Sequence, residues 1–197
     1  MKAKPNQELY EFKLECLQEL EQLSEQGHIE LFYGDASQVN TLGYIPYGWQ
    51  FAEEQVAIPV SKSQGIQCWS LISRNNQCYF WTNYRSISSD FVIDKLERLS
   101  WQIKRPTVLV LDNAGCHVSR KVKQRLPFWQ SRGLYIFYLP PYSPHLNIAE
   151  TLWRKLKYEW LKPEDYFCAQ NLFFTVTAAL AAVGKDLFIN FSSFRLR

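Results

Sequence analysis

Three acidic residues, far apart along the chain, stand where secondary structure should end. Asp35 closes the strand-like run IELFYGD, Asp112 closes TVLVLD, and Glu150 falls in the first turn of the helical stretch NIAETLWRKLKYEWL. Acids at such fixed ends can converge on one point. Once together they repel, and each raises the pKa of the others unless a cation intervenes. Oxygen donors favour hard divalent ions. Two such ions about 3.5–4 Å apart can activate a water on one side of a phosphodiester and stabilise the leaving oxygen on the other. In that arrangement Asp35 bridges two Mg²⁺ or Mn²⁺ ions, and Asp112 and Glu150 each complete one site. Asn113 and His117, close behind Asp112, would orient carboxylates or a substrate phosphate.

Each of these residues also has an ordinary structural reading. Asp112 can simply end a strand or cap the next helix. Asp35, after Tyr-Gly, can be a turn aspartate. The run Asn147 to Glu150 has the form of a capping box, and Glu150 stands one turn before Arg154, the spacing of a surface ion pair. His117 reads equally well as a hydrogen-bonded histidine at a helix start.

The elements that must position the acids follow from periodicity. Residues 7–26 carry Leu9, Phe12, Leu17, Leu20 and Leu23 at helical spacing, and Gly27 stops that helix. After the strand ending on Asp35, the runs QVAIPV, IQCWSLIS and QCYFWTN alternate as antiparallel strands do, with RNN as the turn between the last two. SDFVIDKLERLSWQI opens on a Ser-Asp cap and continues as helix. TVLVLD, rich in Val and Leu, reads as a strand covered on both faces. A helix over 118–132, a strand LYIFYL, the helix NIAETLWRKLKYEWL and a last helical stretch over 165–183 complete the pattern. Early strands followed by alternating strands and helices predict an α/β layered domain with a mixed central sheet. Residues 1–28 form a helix leading into a single domain over 29–197.

At 197 residues, with 47% hydrophobic and 21% charged positions, the chain can close a sizeable core. The net charge of +3 is uninformative, but its distribution is not. Residues 8–30 hold seven glutamates and one lysine, whereas the segment between Asp112 and Glu150 holds Arg120, Lys121, Lys123, Arg125 and Arg132 and no acid. That polarity predicts a basic surface beside the carboxylates. The five cysteines show neither paired spacing nor an even count, which fits a reduced, cytoplasmic setting. No run is long and apolar enough to span a bilayer, so no membrane partner is expected.

Taken together, YGDASQV with the downstream GYIPYGWQ, then VLVLDNAGCH, then LPPYSPHLNIAETLWRKLK resemble the catalytic domain of DDE transposases, in the bacterial insertion-sequence branch of the mariner-like superfamily. The Pro-Pro-Tyr-Ser-Pro turn followed by Leu-Asn and a glutamate is the most specific part. The resemblance implies a ribonuclease H-like fold and places Asp35, Asp112 and Glu150 on the family's catalytic, metal-holding acids. It puts Asn113 and His117 on its DNA..H signature, and Tyr142, Ser143, Pro144 and Asn147 on the turn before the glutamate. It further implies cleavage at element ends by metal-assisted hydrolysis and strand transfer to target DNA, with a homodimer as the active complex. Phosphate contacts would come from Arg120, Lys121, Lys123, Arg125, Arg154, Lys155 and Lys157, which supply affinity without reading bases. Trp49 and Tyr142 can stack on unpaired bases, or serve packing and the turn. A P-loop ATPase is excluded because GxxxxGK[ST] does not occur.

Two departures from the family pattern carry expectations of their own. Only about 28 residues precede the first strand. A separate helix-turn-helix module or upstream chain is therefore expected to find element ends, and the chain is expected to be a split-frame product or a truncation. Ile148 replaces the proline usual after Asn147. Alternatives left open are a catalytically inactive remnant that binds DNA or a full-length partner, and a host nuclease of the same fold.

Overall fold

The computed structural model describes residues 7–42, 53 and 64–192. Helix α1 (Gln7–Glu25) leads into strand β1 (Glu30–Asn40), and the turn between them uses Gly27 at φ +76°. Strands β2 (Gly65–Ile72) and β3 (Cys78–Asn83) form a hairpin, followed by α2 (Ser89–Ser100), β4 (Thr107–Leu111), the single turn α3 (Gly115–Val118), α4 (Arg120–Gln130) and β5 (Leu134–Tyr138). A short 3-10 turn at Pro144–Leu146 precedes α5 (Ala149–Lys155), which widens into a π-helical turn over Leu156–Trp160 before α6 (Ala169–Ala182). The strand QVAIPV, the GYIPYGWQ stretch and Trp49 lie outside the described residues.

The sheet order is β3-β2-β1-β4-β5. β1, β2 and β3 pair antiparallel, whereas β1, β4 and β5 run parallel, so the mixed α/β sheet expected from the sequence is present. Every residue of β4 is buried, as its Val/Leu run requires for a strand covered on both faces. Strand alternation sorts side chains into two cores. Leu31, Tyr33 and Val39 of β1 join Val108 and Val110 of β4 under α1, α5 and α6, while Phe32, Leu109 and Leu111 pack under α2 and α4.

The helix expected over 118–132 is α4, with the separate single turn α3 before it. Ser119, extended at ψ 156°, divides the two and caps α4 by accepting from the Val122 amide (3.3 Å). Ser88, rather than Ser89, caps α2. Asp35 does not end its strand: β1 runs five residues past it. The parallel pairing with β4 stops at Gly34 opposite Leu111, and beyond that point only the antiparallel ladder with β2 continues, from Asp35–Ser70 to Asn40–Gly65. The sheet therefore forks at Asp35. Gly34 is needed there, since a Cβ would lie 2.4 Å from Leu111 Cδ2 and 2.8 Å from Leu71 Cδ2.

Candidate functional site

Parity in the strands decides which way the two aspartates face. Asp35 shares the face of Leu31 and Tyr33, and Asp112, two residues beyond Val110, continues the same face one strand over. Helix α5 packs on that face through Ala149, Leu152 and Trp153, which leaves Glu150 at its exposed edge. All three acids consequently line one cavity of about 440 Å³, together with Asn113, the Leu139–Pro144 stretch and Asn147. Asp35 and Glu150 also line a second cavity of about 530 Å³ with Trp153, Arg154, Lys157 and Tyr158.

Each acid is held by named partners. Asp35 Oδ1 accepts from the Ala36 amide (2.8 Å) and its Oδ2 from the Trp153 indole N–H (3.0 Å). Asp112 Oδ1 accepts from the Ala114 amide (3.1 Å) and from His117 Nδ1 (2.6 Å). Asp112 Oδ2 and the Glu150 carboxylate accept no hydrogen bond among the described residues.

The electrostatics report the crowding. Burial and the charge of Glu150 push the Asp35 carboxyl up to about 7, with Asp112 adding to the rise against the two hydrogen bonds it accepts. The hydrogen bond from His117 holds Asp112 below its usual range. Burial acts to lower the His117 pKa, but the hydrogen bond to Asp112, aided by Cys116, lifts it to about 9. Burial lowers Lys157, and the neighbouring carboxylates of Glu150 and Asp35 oppose that fall.

Two structural alternatives for Glu150 are not realised. The capping box does not form: Ile148 occupies the cap position, and Asn147 spends its side chain elsewhere. Asn147 Nδ2 donates to the Gly34 carbonyl (3.0 Å) and its Oδ1 accepts from the Ala149 amide (3.1 Å), so it bolts the start of α5 to β1 one residue before Asp35. Glu150 makes no ion pair with Arg154 among the described residues. Asn113 lines the cavity of the acids, and its amide nitrogen donates one bond to the Leu139 carbonyl (2.7 Å), which joins the two loops that follow β4 and β5.

The expected basic surface beside the acids is also redrawn. Helix α4 lies on the α2 side of the sheet, the face opposite α5, where Val122 and Trp129 anchor it. Its cations are met by acids from α2: Lys121 by Asp90 (2.9 Å), and Arg125 by Glu97 (2.6 Å), which also holds Arg132 (2.5 Å). Arg120 and Lys123 are exposed on that helix, and Lys155 pairs with Glu159 (2.5 Å). The cations that do line a cavity with the acids are Arg154 and Lys157 of the α5 stretch. Trp153 was not anticipated as a site residue. Its signal was its position three after Glu150, which puts both on neighbouring rows of one helix.

The donor set suits a hard divalent cation. It consists of carboxylates alone, and the most buried of them, Asp35, has a pKa raised first by burial and then by the neighbouring charge of Glu150. Among the described residues no three His, Cys, Asp or Glu side chains stand close enough to ligate one ion jointly.

A family model described as DDE superfamily endonuclease matches residues 30–172. Among curated proteins, uncharacterized protein y4pE/y4sA of Sinorhizobium fredii is 41% identical over 54 residues, covering 27% of this chain and 36% of the relative. The Mos1 mariner paired end complex with Mn has a TM-score of 0.52 at 14% identity, over 94% of this chain and 65% of that one. The catalytic core domain of BIV integrase has a TM-score of 0.51 at 14% identity, over 81% of this chain and 86% of that one. The catalytic domain of Mos1 mariner transposase has a TM-score of 0.50 at 12% identity, over 95% of this chain and its full length. The match thus spans about a third of the curated relative and about two thirds of the transposase chain in the paired end complex. The fold is the ribonuclease H-like one of transposase and integrase catalytic cores.

Proposed function

The chain belongs to the DDE superfamily endonucleases, and from that premise we propose that it is a transposase catalytic domain cutting and joining DNA at insertion-element ends. The observation that carries this reading is the convergence of Asp35, Asp112 and Glu150 on one cavity, from the middle of β1, the end of the parallel neighbour β4 and the first turn of α5.

Bound divalent ions, two of Mg²⁺ or Mn²⁺, would be held by Asp35 with Asp112 and by Asp35 with Glu150, and would supply Lewis-acid stabilisation of charge on the attacking and leaving oxygens. The protein's own part is positioning. Trp153 and the Ala36 amide fix the Asp35 carboxylate, and His117 and the Ala114 amide fix that of Asp112, so neither must reorganise as charge develops. Asn147 keeps Glu150 in register with Asp35 by tying α5 to the Gly34 carbonyl. Arg154 and Lys157 present positive charge on the side of the site away from the Pro-rich turn, where a DNA phosphate would approach the acids. Hydrolysis and strand transfer are both in-line displacements at phosphorus, so one constellation serves both.

Element-end recognition is assigned to a separate helix-turn-helix module or upstream chain, and the active complex to a homodimer in the bacterial cytoplasm. The test is a nicking assay on supercoiled plasmid with Mn²⁺, comparing the parent with Asp112→Ala, with and without the upstream module. Metal-dependent nicking by the parent that Asp112→Ala lacks supports the reading. Equal activity of the two proteins removes it, and nicking that ignores the added module favours a general nuclease.

A further inference from the structure

The cavity that holds the three acids has a second wall that the chemistry of phosphodiester cleavage does not use. Opposite the carboxylates it is lined by Leu139, Pro140, Pro141, Tyr142 and Pro144, an apolar surface beside a charged one. Tyr142 stands out on it. Its backbone sits at φ +59°, a region that bulky L residues rarely enter, and its ring is 75% exposed. A turn that needed only that backbone conformation would be served better by glycine or asparagine. A turn that needed a tyrosine for packing would bury it. Neither structural purpose accounts for an exposed aromatic ring on a strained backbone.

The turn is also rigid. The Leu139 amide donates to the Leu111 carbonyl (2.9 Å), the Leu139 carbonyl accepts from Asn113 (2.7 Å), and Ser143 is buried. The Leu146 and Asn147 amides close on the Ser143 and Pro144 carbonyls (3.2 and 2.8 Å). Three prolines restrict the remaining torsions. The ring is therefore presented from a fixed mount at the edge of the acid cavity, at no further conformational cost beyond its own two side-chain torsions.

Resting on the proposed DNA-cutting function, we propose that this wall is a nucleobase subsite: Tyr142 stacks on one unpaired base of a nucleotide flanking the phosphate at the acids, with the prolines packing its edge. An aromatic face accepts any base, so the subsite supplies affinity and holds the strand end still without reading sequence. A nucleotide whose base is so held cannot re-pair with its complement, which keeps the flanking phosphate displaced from the duplex and near the carboxylates. The cavity volume of about 440 Å³ lies within the range of small-ligand pockets.

The experiment uses the whole chain and a nicked DNA duplex in which 2-aminopurine is walked through the two nucleotides on each side of the nick, with Ca²⁺ in place of Mn²⁺ for binding. Stacking on Tyr142 quenches the probe at one position. Tyr142→Gly, which suits the positive φ and should melt no lower than the parent, abolishes that quenching. It also raises KM for Mn²⁺-dependent cleavage of the same duplex about tenfold, the loss of roughly one stacking contact. Tyr142→Phe and Tyr142→Trp retain both signals, because the face and not the hydroxyl is used. Equal quenching and equal KM in the parent and Tyr142→Gly overturn the subsite while leaving the nuclease reading intact. A parent that quenches the probe but cleaves nothing with any divalent metal sinks the nuclease reading and keeps the base site.

Discussion

His117 Nδ1 donates to Asp112 Oδ1 at 2.6 Å, from an imidazole that is 1% exposed to a carboxylate that is nearly half exposed. The buried partner thus aims the accessible one, and Trp69, whose ring centre lies 6.1 Å away, packs beside it. Its other ring nitrogen, Nε2, is buried without a hydrogen-bond partner among the described residues, a configuration that costs stability.

His117→Phe should therefore separate positioning from packing. It keeps an aromatic ring beside Trp69 and removes the orphaned nitrogen but gives up the bond to Asp112, so urea denaturation should place its stability within about 1–3 kcal/mol of the parent. Mn²⁺-dependent nicking should fall about 10–100-fold, the usual cost of losing a group that orients a metal-holding carboxylate. Unchanged nicking would reduce His117 to a core residue.

Asp35→Asn removes one of three converging negative charges. In metal-free buffer at pH 8, above the value of about 7 to which burial and Glu150 raise this carboxyl, the variant should melt several degrees higher than the parent. The sign follows from the raised pKa: the cost of Asp35 begins above its ordinary value of 3.8, grows until about pH 7 and is constant beyond, so the gap between the proteins should close progressively as pH falls from about 7 to about 4. Adding Mn²⁺ should raise the melting temperature of the parent alone and so narrow the same gap at pH 8. A parent that is indifferent to Mn²⁺ would count against a cation site.

Gly34→Ala tests the fork in the sheet. Its new methyl would meet Leu111 and Leu71, both fully buried, and the overpacking should cost about 1–3 kcal/mol in a denaturant titration. Because the Gly34 carbonyl also accepts from Asn147, nicking should drop by more than the folded fraction does. A loss of activity that tracks unfolding alone would show that the α5 tie tolerates the shift.

Glu97 gathers Arg132, Arg125 and the Trp129 indole, which together hold its carboxyl down to about 2, against the opposing effect of burial. A depressed carboxyl stabilises the fold above its ordinary pKa, and that contribution disappears as pH falls from about 4.5 through about 2. Glu97→Gln should accordingly be less stable than the parent by about 1–2 kcal/mol at pH 7, once solvent screening at this partly open site is allowed for. The two proteins should converge near pH 2, and parallel stability curves across that range would refute the assignment.

The features that could be read from the chain were those decided locally. Four apolar residues before Asp112, Val108 to Leu111, specify a covered strand that ends on an acid, and the helical face of Ala149, Leu152 and Trp153 sets where Glu150 emerges. The run IELFYGD reads as a strand that closes on Asp35, whereas β1 extends to Asn40. Strand β1 continues only because β2, thirty residues later, supplies an antiparallel partner. The cation run of α4 looked free because its neutralising acids, Asp90 and Glu97, sit on a different helix. The capping-box pattern misled for a related reason. Asn147 is drawn away by the Gly34 carbonyl, a partner that is 113 positions distant and invisible to any local rule.

Beyond the fork at Asp35, β1 leaves β4 and keeps β2 as its paired neighbour to Asn40, while β2 keeps β3 as far as the Gln67–Asn83 pair. The extension is not independent of the site: Val39, Ile66 and Cys68 are buried in the same core as Leu152 and Trp153 of α5. A change of volume at any of these three positions would therefore be transmitted to the helix that carries Glu150.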